Sequence, residues 1–582
     1  MQKFLKLTLP VEKGLELTCE WKGSLCDFVL TNHAETPKTV GDLVLFTADM
    51  PFSADTRVYG EGYNMGAQYG GTVSDCHLIG PCCDYAHYKL WKPEGIHQVR
   101  NMAIFYPENE DPLLIGFAST FRFSGYIRFN ETALQIALNC ENIQLLPGEA
   151  IKLEQLFMVR GEKNHILSLF ADALNANHPR LEFPEIPTGW CSWLVYGPNI
   201  TAQNIYDNLE AIQKNQLELK YIQIDDGYQP YMGDWLGSSD KFEGGVKRVC
   251  EDIKEQGFEP AIWVAPFIAE KNSELFSQHP DWFVKGEDGA PLCSAEVTFG
   301  GWRCGPWYML DTTHPDALEY LKTVFRTMHD EWGVKYYKLD ANMWGAFPYG
   351  YRYDDRKTCI EAYRLGMQAI VEAAGKDSFI LGCNAPMWPS IGVVHGMRIT
   401  NDNGRGFSRF ASLARECFNR NWQHNRLWIN DPDTVLLRNA NIKIMDPTGK
   451  ETLISKISED EFCFNAAYTM ASGGMVLSGD DIAKLDSEKV YMLNKLLPPV
   501  QTAAIFDDDT FTVGRAAVSD EKTIIYIFNF EDEAKKVEIS LDKKVEILDW
   551  FEDKNLGEFD GKIVFPDVPP HGAMVLICTA VS

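Results

Sequence analysis

At 582 residues the chain exceeds a single core and suits two or three domains, one of them large enough for a barrel of about 250 to 300 residues. A content of 45% hydrophobic and 12% aromatic residues excludes disorder, and a formal net charge of −28 repels phosphate backbones and anionic membranes, so neither nucleic acid nor a lipid surface suits it as a partner. Fifteen cysteines at irregular spacing lack the density of a disulfide-stapled secreted domain, and the first residues carry no apolar signal run, which predicts a cytoplasmic protein.

Up to about residue 178, short strand-like runs at 27–30, 43–46, 115–117 and 127–129 alternate with turn clusters, the pattern of a β-sandwich. From about 185 to 497 the rhythm changes to apolar strand, polar turn and longer amphipathic helix. Strands are predicted at 189–193, 221–226, 261–267, 336–342, 379–384, 397–402, 427–433 and 475–481, and the clearest helices at 201–213, 315–331, 356–374 and 408–421. Eight consecutive units favour a closed (β/α)8 barrel over an open sheet. From about 503 strand-like segments return, at 523–528 and 537–540 among others, predicting a small antiparallel β-domain. The predicted fold class is thus α/β, divided into 1–178, 185–497 and 503–582.

Active sites of such barrels sit at the carboxyl ends of the strands, so the terminal residues of each strand form one ring. That ring is acidic: Asp225 and Asp226, Lys338 and Asp340, Cys383 and Asn384, Arg398 and Asp402, Asp431 and Asp433, Asp480 and Asp481. Neighbouring buried carboxylates are costly unless paired, hydrogen-bonded or protonated, so the ring suggests two that divide acid and nucleophile roles, as glycosidic bond cleavage requires. Lys338, two residues before Asp340 and so on the same strand face, can keep that carboxylate ionised. Trp190, Trp193 and Trp263 at strand ends can present a face to a sugar ring. Cys383 reads as a small wall residue, since no histidine adjoins it. His87, His395 and His424 lack metal-ligand spacing, so neither metal nor cofactor is predicted. The bland readings are a capping role for Asp402 before the 408–421 helix and a plain turn at Asp431-Pro432-Asp433.

Taken together, Gly189-Trp190-Cys191-Ser192-Trp193, Gln223-Ile224-Asp225-Asp226-Gly227-Tyr228, Ile262-Trp263-Val264-Ala265-Pro266-Phe267, Lys338-Leu339-Asp340, Gly396-Met397-Arg398-Ile399, Trp428-Ile429-Asn430-Asp431-Pro432-Asp433 and Leu477-Ser478-Gly479-Asp480-Asp481 resemble glycoside hydrolase family 36. That family comprises α-galactosidases and their relatives, in the clan shared with families 27 and 31. The resemblance implies a β-sandwich, a catalytic barrel and a C-terminal β-domain, and hydrolysis with retention of configuration. It implies Asp340 as nucleophile and Asp402 as acid/base, Asp225 and Asp226 on O4 and O6 of a galactose ring, and Lys338 on the O3 and O4 side. Arg398 and Cys383 fall on the O2 side, with Asn384 bordering the C2 substituent and Trp263 packed on the ring. One departure is that Gly382-Cys383-Asn384-Ala385-Pro386 stands where many larger members carry a Cys-Ser-x-Gly-Gly-Gly motif; the shorter branch is similar to the present pattern. The expected partner is a small carbohydrate. Homo-oligomers are common among relatives. The alternatives are an α-N-acetylgalactosaminidase, a raffinose-type galactosyltransferase and a sugar-binding barrel without catalysis.

Overall fold

The computed structural model describes residues 4–581 apart from 9, 11, 405, 439–442, 446–450, 454–456 and 507. Its centre is a parallel eight-stranded barrel: β1 (Thr188–Cys191), β2 (Tyr221–Ile224), β3 (Glu259–Val264), β4 (Tyr336–Leu339), β5 (Phe379–Gly382), β6 (Gly396–Arg398), β7 (Ile429–Asp431) and β8 (Val476–Ser478). Pairing runs unbroken from β7 through β6, β5, β4, β3, β2 and β1 to β8. The last seam closes just outside the strands, where Met475 N–H donates to the Asn430 carbonyl at 2.9 Å and Val435 N–H to that of Leu477 at 2.8 Å. Gly474 permits this closure, because a Cβ there would collide with the Asn430 carbonyl.

All eight strands fall where the sequence places them, but each stops two to four residues sooner at its carboxyl end. The barrel floor is a layer of large side chains pointing inward from the strand starts. Tyr336 stands edge-on to Tyr221 at 5.5 Å and to Phe379 at 5.3 Å, sealed by Ile429 and Met475. Because strand side chains alternate, the inward series that begins with Tyr336 continues through Lys338 to Asp340, and the one from Tyr221 through Gln223 to Asp225.

Helices Ala202–Lys214 and Cys359–Ala373 both open on a capping box, Thr201 with Asn204 and Thr358 with Glu361. The regular strand-helix rhythm fails once: between β5 and β6 there is only a single 3-10 turn, Trp388–Ser390. Helix Lys163–Asn177, which interrupts the expected all-β run before residue 178, covers that gap. Phe170 lies 6.1 Å from Trp388 and 6.2 Å from Trp422, and Ile166, Leu167 and Leu174 join the barrel's own core.

Before that helix, thirteen strands form one antiparallel network whose buried faces enclose a separate core of Phe28, Leu45, Phe105, Ile127 and Ile136. After the barrel, a six-stranded and a two-stranded antiparallel sheet enclose a small core of Ile527, Ile539, Ile547 and Leu576. The N-terminal sheet reaches the barrel mouth through residues 61–67. Glu61 and Arg420 form a fully buried ion pair at 2.6 Å, Met387 N–H donates to the Tyr63 carbonyl at 2.8 Å, and the Tyr63 hydroxyl donates to Ala346. Among the described residues no helix is long and apolar enough to cross a membrane.

Candidate active site

Three donors converge on the carboxylate of Asp340, just past β4. Trp263 Nε1–H reaches Oδ2 at 3.0 Å, while Asn384 Nδ2–H and the Ala341 backbone N–H reach Oδ1 at 3.0 and 2.7 Å. The side chain is buried yet reaches the mouth, at 8% exposure. Ala341, Asn384 and Asp433, which follow β4, β5 and β7, all adopt left-handed backbone conformations with φ of 53°, 41° and 71°. Left-handed geometry disfavours side chains by about 1 to 2 kcal/mol each, and such strain clusters where side chains must be aimed.

On the β6 side, Arg398 Nη2 bridges Asp402 Oδ1 and Asp433 Oδ2, both at 2.7 Å. The arginine is buried while the Asp402 side chain is 53% exposed, so a fixed cation holds a carboxylate that faces the open mouth. The helix after β6 begins at Phe407 with Gly406 as its cap, so Asp402 does not serve as that cap. Cys383 is near both acids: its thiol contacts Arg398 Nη1 at 3.9 Å, and the charges of Asp340 and Asp402 both act on it. Burial, and then Asp340, push that thiol well up, as befits a wall residue and not a nucleophile.

At β2, Asp225 receives Lys338 Nζ at 2.9 Å and Gln223 Nε2 at 2.7 Å. Lys338 therefore bonds Asp225 and not Asp340, whose donors are the Trp263 indole, the Asn384 amide and the Ala341 N–H. Burial works against the ammonium, yet the adjacent Asp225 overrides it and holds Lys338 above its ordinary range. Asp226 is clamped by Arg303, whose Nε donates at 2.9 Å and whose Nη2 also bonds it, and by Gln229 at 2.7 Å.

Of the residues expected from sequence, Asp225, Asp226, Trp263, Lys338, Asp340, Cys383, Asn384, Arg398 and Asp402 are brought to this one end of the barrel. Trp190 is not. It pairs in register with Ile222, turns toward the helix layer with that residue, is fully buried, and donates its indole N–H to the Asp480 carbonyl at 2.7 Å. The two-residue strand period puts Cys191, not Trp190, on the inner face. Sequence reading missed Arg303, which lies in the long excursion between β3 and β4, and Met65, whose sulfur accepts the Asn384 backbone N–H at 3.3 Å from the N-terminal sheet. No local signal marks either. Among the described residues no group of three or more His, Cys, Asp or Glu is arranged to hold a metal ion.

The melibiase family model matches residues 207–378. An A type blood α-D-galactosamine galactosaminidase of Flavonifractor plautii is 25% identical over 346 residues, covering 54% of this chain and 31% of that protein. An α-galactosidase of Escherichia coli is 29% identical over 126 residues, 20% of this chain and 16% of that one. The chain thus matches less than a third of the length of these curated relatives. Among solved structures, the GH36 α-galactosidase AgaA of Geobacillus stearothermophilus superposes with a TM-score of 0.69 at 14% identity, over 98% of this chain and 82% of that one. TtGalA, an α-galactosidase of Thermus thermophilus in complex with p-nitrophenyl α-D-galactopyranoside, gives 0.63 at 20% identity, over 87% and 98%. Their fold is that of this chain.

Proposed function

We propose that this chain, with a melibiase-type barrel and the fold of the family 36 α-galactosidases, is a glycoside hydrolase that removes terminal α-galactosyl residues from oligosaccharides with retention of configuration. The observation that carries the reading is the pair of acids near Cys383, one fixed by three donors and the other, largely exposed, held by a buried arginine. In the first step an Asp340 oxygen bonds to the anomeric carbon as the glycosidic C–O bond breaks, and Asp402 gives its proton to the leaving oxygen. In the second, Asp402 takes a proton from water, the water oxygen bonds to the anomeric carbon, and Asp340 is released. Asp225, Asp226 and Lys338 would hold the ring hydroxyls, with Arg303 a further member of that set.

Asp402→Ala is expected to lose about 10² to 10⁴-fold on natural galactosides, and far less on aryl galactosides with acidic phenols, which leave without protonation. Equal losses on both substrates would remove Asp402 from the acid role. Retention is checked by proton NMR of the first anomer released.

The match to the Flavonifractor galactosaminidase supports a second reading, α-N-acetylgalactosaminidase activity. Asn384 is tied to Asp340 and to Met65, so the wall beside the C2 position is fixed from two sides. Rates on paired aryl α-galactoside and α-N-acetylgalactosaminide substrates decide between them, and products at high acceptor concentration separate hydrolysis from galactosyl transfer. All fifteen cysteines are free thiols, which supports a reducing, cytoplasmic setting. The division into 1–178, 185–497 and 503–582 and assembly into a homo-oligomer belong to the same proposal; limited proteolysis and light scattering test them.

A further inference from the structure

Two carboxylates compete for one guanidinium at the edge of the site. Arg398 Nη2 stands 2.7 Å from Asp402 and 2.7 Å from Asp433, and Asp433 is as buried as Asp402 is open. Asp433 has a second hold on the same loop: its Oδ2 accepts the backbone N–H of Asn403, the residue after Asp402, at 2.5 Å. Asn403 Nδ2 then donates to the Thr434 carbonyl at 2.8 Å, so the segment carrying Asp402 is clipped to the end of β7 by backbone and side chain alike. Asp433 itself is kept at a φ of 71°, its N–H donating to Asp431 Oδ1 at 2.9 Å. A turn alone does not require a buried acid at a strained position.

We propose that Asp433 is a positioning residue for Asp402: it aims that carboxyl through Arg398 and Asn403, and its charge competes with that of Asp402 for the shared cation. This rests on the assignment of Asp402 as acid/base. Among the described residues, the charged and titratable groups that face Asp433 are Arg398 and Asp402 from β6 and its loop, Asp431 from β7, Lys338 from β4, Tyr468 from the helix before β8, and Cys191 from β1. Burial, and then Asp402 and Asp431, outweigh the two cations and push the Asp433 carboxyl up to about 6.

The experiment is Asp433→Asn, which keeps the shape and removes the charge. The pH profile of kcat/KM on an α-galactosyl disaccharide is compared with that on an aryl α-galactoside bearing an acidic phenol, and Asp402→Ala is run in parallel. The alkaline limb is expected to move about one pH unit toward acid, since a like charge at this range shifts a proton equilibrium by that order. The disaccharide rate at neutral pH is expected to drop about tenfold more than the aryl rate. A folded Asp433→Asn protein whose limb stays where the wild type has it overturns the proposal, as do equal losses on both substrates. If Asp433→Asn does not fold, Asp433→Ser, which leaves room for water, takes the same readout. An Asp402→Ala variant that keeps the alkaline limb sinks the acid/base assignment, and this proposal with it. One that loses the limb beside an unmoved Asp433→Asn sinks this proposal alone.

Discussion

Asp340→Ala is expected to lower turnover of an aryl α-galactoside by roughly 10⁴-fold or more, the scale on which removing a covalent nucleophile acts. The fold should persist. Asp340 sits beyond the end of β4 and not in the core, and the Trp263 and Asn384 donors it leaves behind face a mouth where water can take its place. Unsatisfied donors cost about 1 to 3 kcal/mol each when truly dry, so near-native melting is the control that separates lost chemistry from lost structure. Added azide, attacking from the face Asp340 occupies, should restore part of the rate and yield a galactosyl azide of inverted configuration. Near-normal hydrolysis by the folded variant would dismiss Asp340 as nucleophile. A rescue product of unchanged configuration would place the missing group on the other face.

The melting temperature is expected to fall steeply between pH 6.5 and 4. Three buried histidine rings accept backbone N–H groups, which only a neutral ring can do: His178 from Thr120 at 2.9 Å, His395 from Ile380 at 3.1 Å and His424 from Asn430 at 3.2 Å. Burial pushes His395 and His424 down to about 4 and His178 down to about 3. In the unfolded chain the same rings titrate near 6.5. Between those values the unfolded state binds more protons, so stability is intact above pH 6.5 and is lost as the solution is acidified toward 4. Each ring accounts for on the order of 3 kcal/mol. The Asp433 carboxyl, raised to about 6, has the opposite sign over the lower part of this window, as do other buried acids such as Glu141 and Asp84. His395→Asn isolates the histidine contribution, because the asparagine oxygen can accept the Ile380 N–H without titrating. That variant should melt less steeply with acid than the wild type. A wild-type melting temperature level from pH 7 to 4, or a variant slope no shallower than its parent's, would remove the rings as the cause.

The barrel was legible because inward and outward residues alternate strictly along each strand, and because every strand ends in a polar cluster. That same polarity blurred the ends. Asp340, Asn384 and Asp433 read as strand continuations, whereas the backbone turns left-handed at Asn384 and Asp433 themselves and at Ala341, directly after Asp340. Trp190 shows the limit of composition: an aromatic at a strand end looks like a sugar platform until the strand period assigns its face. The missing helix between β5 and β6 was hidden by the regularity around it, and helix Lys163–Asn177, which replaces it, stands far earlier in the chain. Arg303 and Met65 could not be found at all, since each meets its partner across 77 and 319 positions, separations that leave no mark on local sequence.

Residues 61–67 carry a consequence for biosynthesis. They leave the ribosome before any stave of the barrel exists, yet Glu61 is the counterion for Arg420, and Met65 and Tyr63 brace the turns after β5. A fragment comprising 185–497 alone would lack the Glu61 carboxylate and the Met65 and Ala67 carbonyls that Arg420 bonds. These braces can therefore form only once the sixth stave and its helix have been made, so the mouth of this protein is completed late in synthesis, and a barrel cut out on its own is without them.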